Sequence, residues 1–206
     1  MLNRTEAMAL LEWAHEQNPG PWREHSLHAA RAAEAIAKRA GLDSERAWVC
    51  GVLHDIGRFE GVRAMHHIIA GYNLLMESGE PELARICMTH SFPGGEPMSY
   101  IGEWDVTDDE RTFVLDYISD CEFDDYDRLI QLCDALALSQ GICLIEKRLV
   151  NVVLRNGINP YLQGKWRATF EIQKDFENRM ECGLYSLFDD VIVNTFGSEF
   201  VNILSK

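Results

Sequence analysis

Two side chains able to bind a metal, His54 and Asp55, stand side by side at the end of the run AWVCGVL, whose seven residues are all apolar or glycine. An ionised carboxylate buried there is unfavourable unless it is paired or bound to a cation. Capping of the following loop, or a pair with Arg58, are the other ways to satisfy Asp55. Asp134 poses the same problem inside LIQLCDALAL, flanked by Leu129, Ile130, Leu132, Cys133, Leu136 and Leu138. Asp is a poor residue for a helix interior and an expensive one for a core, so Asp134 calls for a function or for a buried Arg partner. By contrast Asp124, Asp125 and Asp127 read as a solvated helix start, where negative charge suits the dipole.

The histidines divide by position. His25 in EHSLHAARAAEAIA shares a helix face with Ala29, Ala32 and Ile36, and His28, three residues on, could serve in its place. His67 precedes Gly71 by one helical turn, and a glycine there lets another helix or a ligand come close. His90 ends an apolar helix just before an irregular stretch. For each, an ordinary hydrogen-bonded histidine is the alternative, and His66 is assigned that role.

These residues need elements to hold them, and nearly every segment has apolar residues at the spacing of a helix face, so the fold class is all-α, a single-domain helical bundle. The pattern predicts helices over 5–17, over 22–40 with a stop at Gly41, and over 44–57 behind the caps Asp43 and Ser44. Further helices are predicted over 62–78, 81–90, from the capping box of Thr107 and Glu110, and over 124–141. Residues 142–206 read as helices broken at Gly157, Pro160 and Gly183. The stretch 91–106, SFPGGEPMSYIGEWDV, has prolines, glycines and aromatics without a period and reads as a long functional loop.

With 206 residues, 47% hydrophobic and 25% charged, the chain is expected to form one domain, 1–206, with a substantial core. No segment reaches the roughly 18 consecutive apolar residues of a membrane span. The first residues carry acids and helical periodicity rather than a secretory signal, which places the protein in the cytoplasm. A formal net charge of −14 argues against nucleic acid or an anionic membrane as partner. An anionic small substrate would need local positive charge, which bound metal can provide. The six scattered cysteines include no C-x-x-C pair and read as free thiols.

Taken in order, His25, then His54 with Asp55, then Asp134, the chain resembles the H…HD…D pattern of the HD-domain superfamily of metal-dependent phosphohydrolases. H-x-x-x-A-A-x-x-A-x-x-I-A from His25, LHDIGR at 53–58 and H-x-x-x-G from His67 carry the likeness. It covers about residues 22 to 140 and leaves about 141 to 206 as a helical extension. The resemblance implies that His25, His54, Asp55 and Asp134 hold one metal, that His67 and His90 help to hold a second, and that Asp55 bridges the two. Such a nitrogen and oxygen site suits one or two divalent transition ions, Fe, Mn, Zn or Co, rather than a thiolate metal.

Arg58 stands where the family often has Lys, and either cation could hold a substrate phosphate. The chain lacks the G-Y-P element and the doubled histidine near His90 of the branch that hydrolyses cyclic-di-GMP. It is closer to small stand-alone bacterial members, including those acting on dinucleoside polyphosphates. The implied activity is hydrolysis of a phosphate ester or anhydride in a small nucleotide-like substrate by metal-bound hydroxide, with Asp55 and Arg58 as catalytic residues. The loop 91–106 would cover the site, with Tyr100 and Trp104 available to stack on a base or to pack on their own domain. A di-iron oxygenase and a metal-binding regulatory module without turnover are the rival readings. No Ser or Cys nucleophile is supported.

Overall fold

The alanine face anticipated around His25 is the axis of the fold. In this computed structural model, which describes residues 1–197, Ala29, Ala30, Ala32, Ala33, Ile36 and Ala37 of α2 (Trp22–Ala40) are all fully buried. Small side chains allow α3 (Ser44–Leu53) to lie almost directly on α2. A Cβ added to Gly51 would sit 2.5 Å from the Ala30 Cα, so only glycine permits the contact. The caps are where the sequence puts them. Asp43 accepts from the Glu45 and Arg46 amides, and Gly41 closes α2 in the left-handed region at φ 75°.

Before these runs α1 (Arg4–Gln17), and after them a 3-10 turn (Ile56–Glu60), α4 (His66–Glu77) and α5 (Pro81–Thr89). A 3-10 turn (Pro97–Ser99) interrupts the long loop. Then follow α6 (Asp108–Asp120), opened by the Thr107–Glu110 capping box, and α7 (Asp125–Leu136). A two-stranded antiparallel hairpin, β1 (Ala137–Leu138) with β2 (Gly141–Ile142), pairs Ala137 with Ile142. The described chain ends with α8 (Ile145–Asn156), α9 (Leu162–Met180), a 3-10 turn (Leu184–Leu187) and α10 (Val191–Phe196). Residues 198–206 of the expected C-terminal extension lie outside the described residues. One hydrophobic cluster takes in Leu11 of α1, the α2 and α3 faces, Leu129 and Leu132 of α7, and Ile172 and Phe176 of α9. No helix of the described residues is long and apolar enough to cross a membrane.

The fold is all-α apart from that hairpin, and the hairpin corrects the expected helix 124–141. α7 stops at Leu136 because the chain turns there to let Cys143 donate to the Leu136 carbonyl at 2.9 Å. Asp134 is therefore near the end of its helix, not in the middle, and its side chain is 27% exposed. The expected helix 44–57 also ends early, at Leu53. Gly57 lies in the 3-10 turn beyond it, wedged so closely against α4 that an added Cβ would stand 2.0 Å from the His67 carbonyl oxygen and 2.3 Å from the Gly71 nitrogen. The expected helix 62–78 starts only at His66, where Asp105 accepts from the Ala64 and His66 amides at 3.0 Å each.

Asp127 is a further correction. It is fully buried rather than solvated, accepting from Arg85 Nε at 3.0 Å, Thr89 Oγ1 at 2.7 Å and the Asp124 amide at 2.8 Å. Asp124 is the helix cap, and Asp127 completes the capping box while tying α7 to α5. All six cysteines are free, and Cys50, Cys87, Cys133 and Cys143 are buried.

The Gly57 contact has a direct test. Gly57→Ala would force the backbones of the 3-10 turn and α4 apart and is expected to cost about 3 kcal/mol or more, seen as a large drop in thermal midpoint. Gly164→Ala, in α9 with nothing near the added methyl, should instead stabilise by up to about 1 kcal/mol. Equal midpoints for both variants would contradict the packing described.

Candidate metal centre

A helix leaves its last carbonyls without intrahelical donors, and a histidine placed at the C-cap can supply one. His54 and His90 do this with nearly the same geometry. They are the C-caps of α3 and α5, and their Nδ1 atoms bond the carbonyls of Gly51 at 2.7 Å and Cys87 at 2.8 Å. His67, in the first turn of α4, bonds the Ala64 carbonyl in the same three-residue step. His25 on α2 reaches across the fold to the Ala137 carbonyl at 3.1 Å, just where α7 has ended.

A carbonyl oxygen only accepts, so each Nδ1 carries a proton. Burial pushes the imidazolium form of His25, His67 and His90 down, His90 to about 3. These rings are neutral, and each Nε2 presents a bare lone pair. The lone pairs converge. His25 Nε2 is 3.3 Å from His54 Nε2 and 3.0 Å from Asp134 Oδ1. His67 Nε2 is 3.1 Å from Asp55 Oδ1, yet it is buried with no hydrogen-bond donor. His90 Nε2 is 3.7 Å from the same oxygen, while Asp55 Oδ2 lies 4.0 Å from both His25 and His54.

Asp55 thus faces a pair of histidines with each of its oxygens. Two groups whose ligand atoms are mutually close enough for one ion follow: His25, His54 and Asp55, and Asp55, His67 and His90. Asp134 joins the first through its contact with His25. Acceptor facing acceptor in a desolvated cluster is costly, and a divalent cation turns each repulsion into a bond. The Nδ1 bonds to carbonyls are the orientation that metal-binding imidazoles require. The C-terminal ends of α3 and α5 add negative dipole ends at the same place. The donor set fits a divalent transition ion, and no thiolate is within it.

Arg58 donates from Nε to Asp55 Oδ2 at 2.6 Å, so the pairing weighed as an alternative to metal binding is present alongside the histidine cluster. Asp134 likewise has the Arg partner weighed for it, Arg148, at 3.3 Å. Burial alone would raise both carboxyls. For Asp55 the charge of Arg58 leads the groups that hold it well below the usual carboxylate range, and for Asp134 the neighbouring His25 and then the charge of Arg148 do so. His28 and His66 stand apart from the cluster. His66 bonds Glu60 at 2.7 Å, as an ordinary surface histidine does, and His28 neighbours Arg31 and Asp190.

The cluster lies at the base of an open cleft of about 1200 Å³. The loop 91–106 forms part of its wall through Ser91, Pro93 and the segment from Tyr100 to Glu103. Tyr100 lines the cleft; Trp104 does not, and packs instead edge-on against Tyr100 and under Arg111. Among the described residues six cations line the cleft: Arg58, Arg63, Lys147, Arg148, Arg155 and Lys165. Only Arg58 was singled out from the sequence. The other five belong to segments that read as solvated loop or helix surface, and nothing in their spacing marks the cleft.

A helical fold that gathers imidazoles and carboxylates beneath a cationic cleft has the donor groups of a divalent-metal site. The family model described as the HD domain matches residues 22–139, and the chain belongs to that family, part of a superfamily of metal-dependent phosphohydrolases. Searches of curated proteins and of solved structures return no match.

Proposed function

We propose that the protein hydrolyses a phosphate ester or anhydride of a small nucleotide-like substrate, using one or two divalent transition ions held by His25, His54, Asp55, His67, His90 and Asp134. The observation that supports this reading most strongly is the convergence of neutral imidazole lone pairs on both oxygens of one buried carboxylate, at the base of a cleft rich in Arg and Lys. A bound divalent ion supplies Lewis acidity toward phosphoryl oxygens and acidifies water.

The chain's own residues do the rest. Asp55 offers one oxygen to each histidine pair, which fits a carboxylate shared between two ions. Its partner Arg58 uses Nε and Nη1 in bonds to Asp55 and to the Arg63 carbonyl, and Nη2 makes no bond among the described residues. That edge of the guanidinium is available to a phosphate oxygen. In the reaction a water oxygen bonds to phosphorus, the bond from phosphorus to the leaving oxygen breaks, and the water's proton ends on the leaving group. The surplus of cations over the cleft matches the charge of the phosphoryl group. It supports an anionic, phosphorylated substrate.

Cobalt(II) titration of metal-stripped protein tests the ligand set. His54→Ala and His90→Ala are each expected to weaken binding by about tenfold or more, and Asp55→Asn to weaken every binding step. Wild-type binding by Asp55→Asn would remove the shared carboxylate from the scheme.

Release of inorganic phosphate or mononucleotide from a panel of phosphate esters and anhydrides tests the activity. Turnover should appear on addition of Mn, Co, Zn or Fe and fall by about a thousandfold or more in Asp55→Ala. Oxygen consumption by the reduced-iron protein in place of phosphate release would replace this reading with the oxygenase.

A further inference from the structure

The HD-domain match ends at residue 139, yet much of the positive charge over the cleft comes from beyond it. α8 contributes Lys147, Arg148 and Arg155, and α9 contributes Lys165. The chain as a whole has 33 acidic residues against 19 Lys and Arg, so a cationic wall is contrary to its composition. Apart from Asp55 and Asp134, the acids lining the cleft among the described residues are Glu103 and Asp105, and Asp105 is committed to the Ala64 and His66 amides.

These cations differ in how they are satisfied. Arg148 pairs with Asp134, and Lys147 bonds the Asn194 carbonyl. Arg155 and Lys165 pair with no carboxylate among the described residues. Arg155 bonds only the Asn151 carbonyl, at 3.4 Å, and Lys165 donates one of its three protons to the Ser91 carbonyl at 2.7 Å. Lys165 is half-buried with a cation's donors unspent. Desolvation, and then the neighbouring charges of Arg148 and Arg58, push the Arg155 guanidinium down. The Asp134 carboxylate acts on both Arg155 and Lys165 but already pairs with Arg148, so positive charge is in excess here, which is unfavourable unless a ligand supplies more counter-charge.

We infer that Arg155 and Lys165, with Arg148 between them and the Asp134 carboxylate, bind a second phosphate group of the substrate in the cleft beside the histidine cluster. The inference rests on the phosphohydrolase reading and narrows it to substrates with at least two phosphoryl groups, one at the metal centre and one at this wall. A phosphate has oxygens enough to take both a guanidinium fork and an ammonium donor. Since the subsite is built from α8 and α9, it distinguishes this chain's substrate by residues that the HD-domain match does not include.

The test uses the full chain with two variants, Arg155→Ala and Lys165→Met. Arg155 is exposed, so its truncation leaves the core intact. Isothermal titration of metal-stripped protein with inorganic tripolyphosphate should show binding, weakened about tenfold or more in each variant, the loss of a charge-assisted contact. In the metal-loaded enzyme the ratio of KM for a nucleoside triphosphate to KM for a simple monophosphate ester should rise by a similar factor. Unchanged tripolyphosphate affinity in both variants, or an unchanged KM ratio, would overturn the subsite while leaving hydrolysis that depends on Asp55 intact. Tripolyphosphate binding that depends on Arg155 and Lys165 in a protein without phosphatase activity would uphold the subsite and reject the hydrolase.

Discussion

Four imidazoles here each commit Nδ1 to a backbone carbonyl, and the rest of the centre follows from that constraint. A neutral histidine with its Nδ1 committed has only a lone pair to show at Nε2. His25, His54, His67 and His90 all show it to the same small volume, together with two carboxylates. A cluster of acceptors cannot be self-satisfying. Arg58 and Arg148 offset the carboxylate charge from one side, but neither gives a proton to the imidazoles. A divalent cation would satisfy them together.

The constraint reaches into the backbone. The carbonyls that accept from Nδ1 are those of a last helical turn for His54 and His90, so the requirement to end a helix and the requirement to orient a ligand are met by the same residue. Holding α3 and α4 close enough for His54, Asp55 and His67 to meet demands backbone contact at Gly57 and Gly71, where any side chain would separate the elements. The alanine face of α2 serves the same end, because it lets α3 settle against His25. Packing and chemistry are not separable here: the small residues set the distances between ligand atoms.

Beyond the hairpin, the last helices contribute charge and support rather than metal ligands. α9 buries Ile172 and Phe176 in the main core while presenting Lys165 to the cleft, and Asn159 fastens the long loop by donating to the Tyr100 carbonyl at 2.9 Å. Lys165 fastens the same loop at Ser91. The wall of the cleft and the loop beside the histidine cluster are thus held by one part of the chain.

The sequence by itself determined the helical class, the caps at Asp43, Gly41 and Thr107, and the residues that gather at the centre. Each is written in local terms: a cap residue beside an apolar period, or a polar group whose burial among apolar neighbours is too costly to be incidental. Asp55 and Asp134 were conspicuous for that reason. What the tertiary structure decided depends on contacts distant along the chain. Whether His25 or His28 enters the cluster is settled by the Ala137 carbonyl, 112 residues away. Asp127 looked like a solvated cap because its partners, Arg85 and Thr89, are on another helix. The cations of α8 and α9 look like any charged helix surface in one dimension, since a lysine carries no mark of which face will meet a cleft. Local cost is legible in a sequence, whereas the choice of partner waits on the geometry that brings remote segments together.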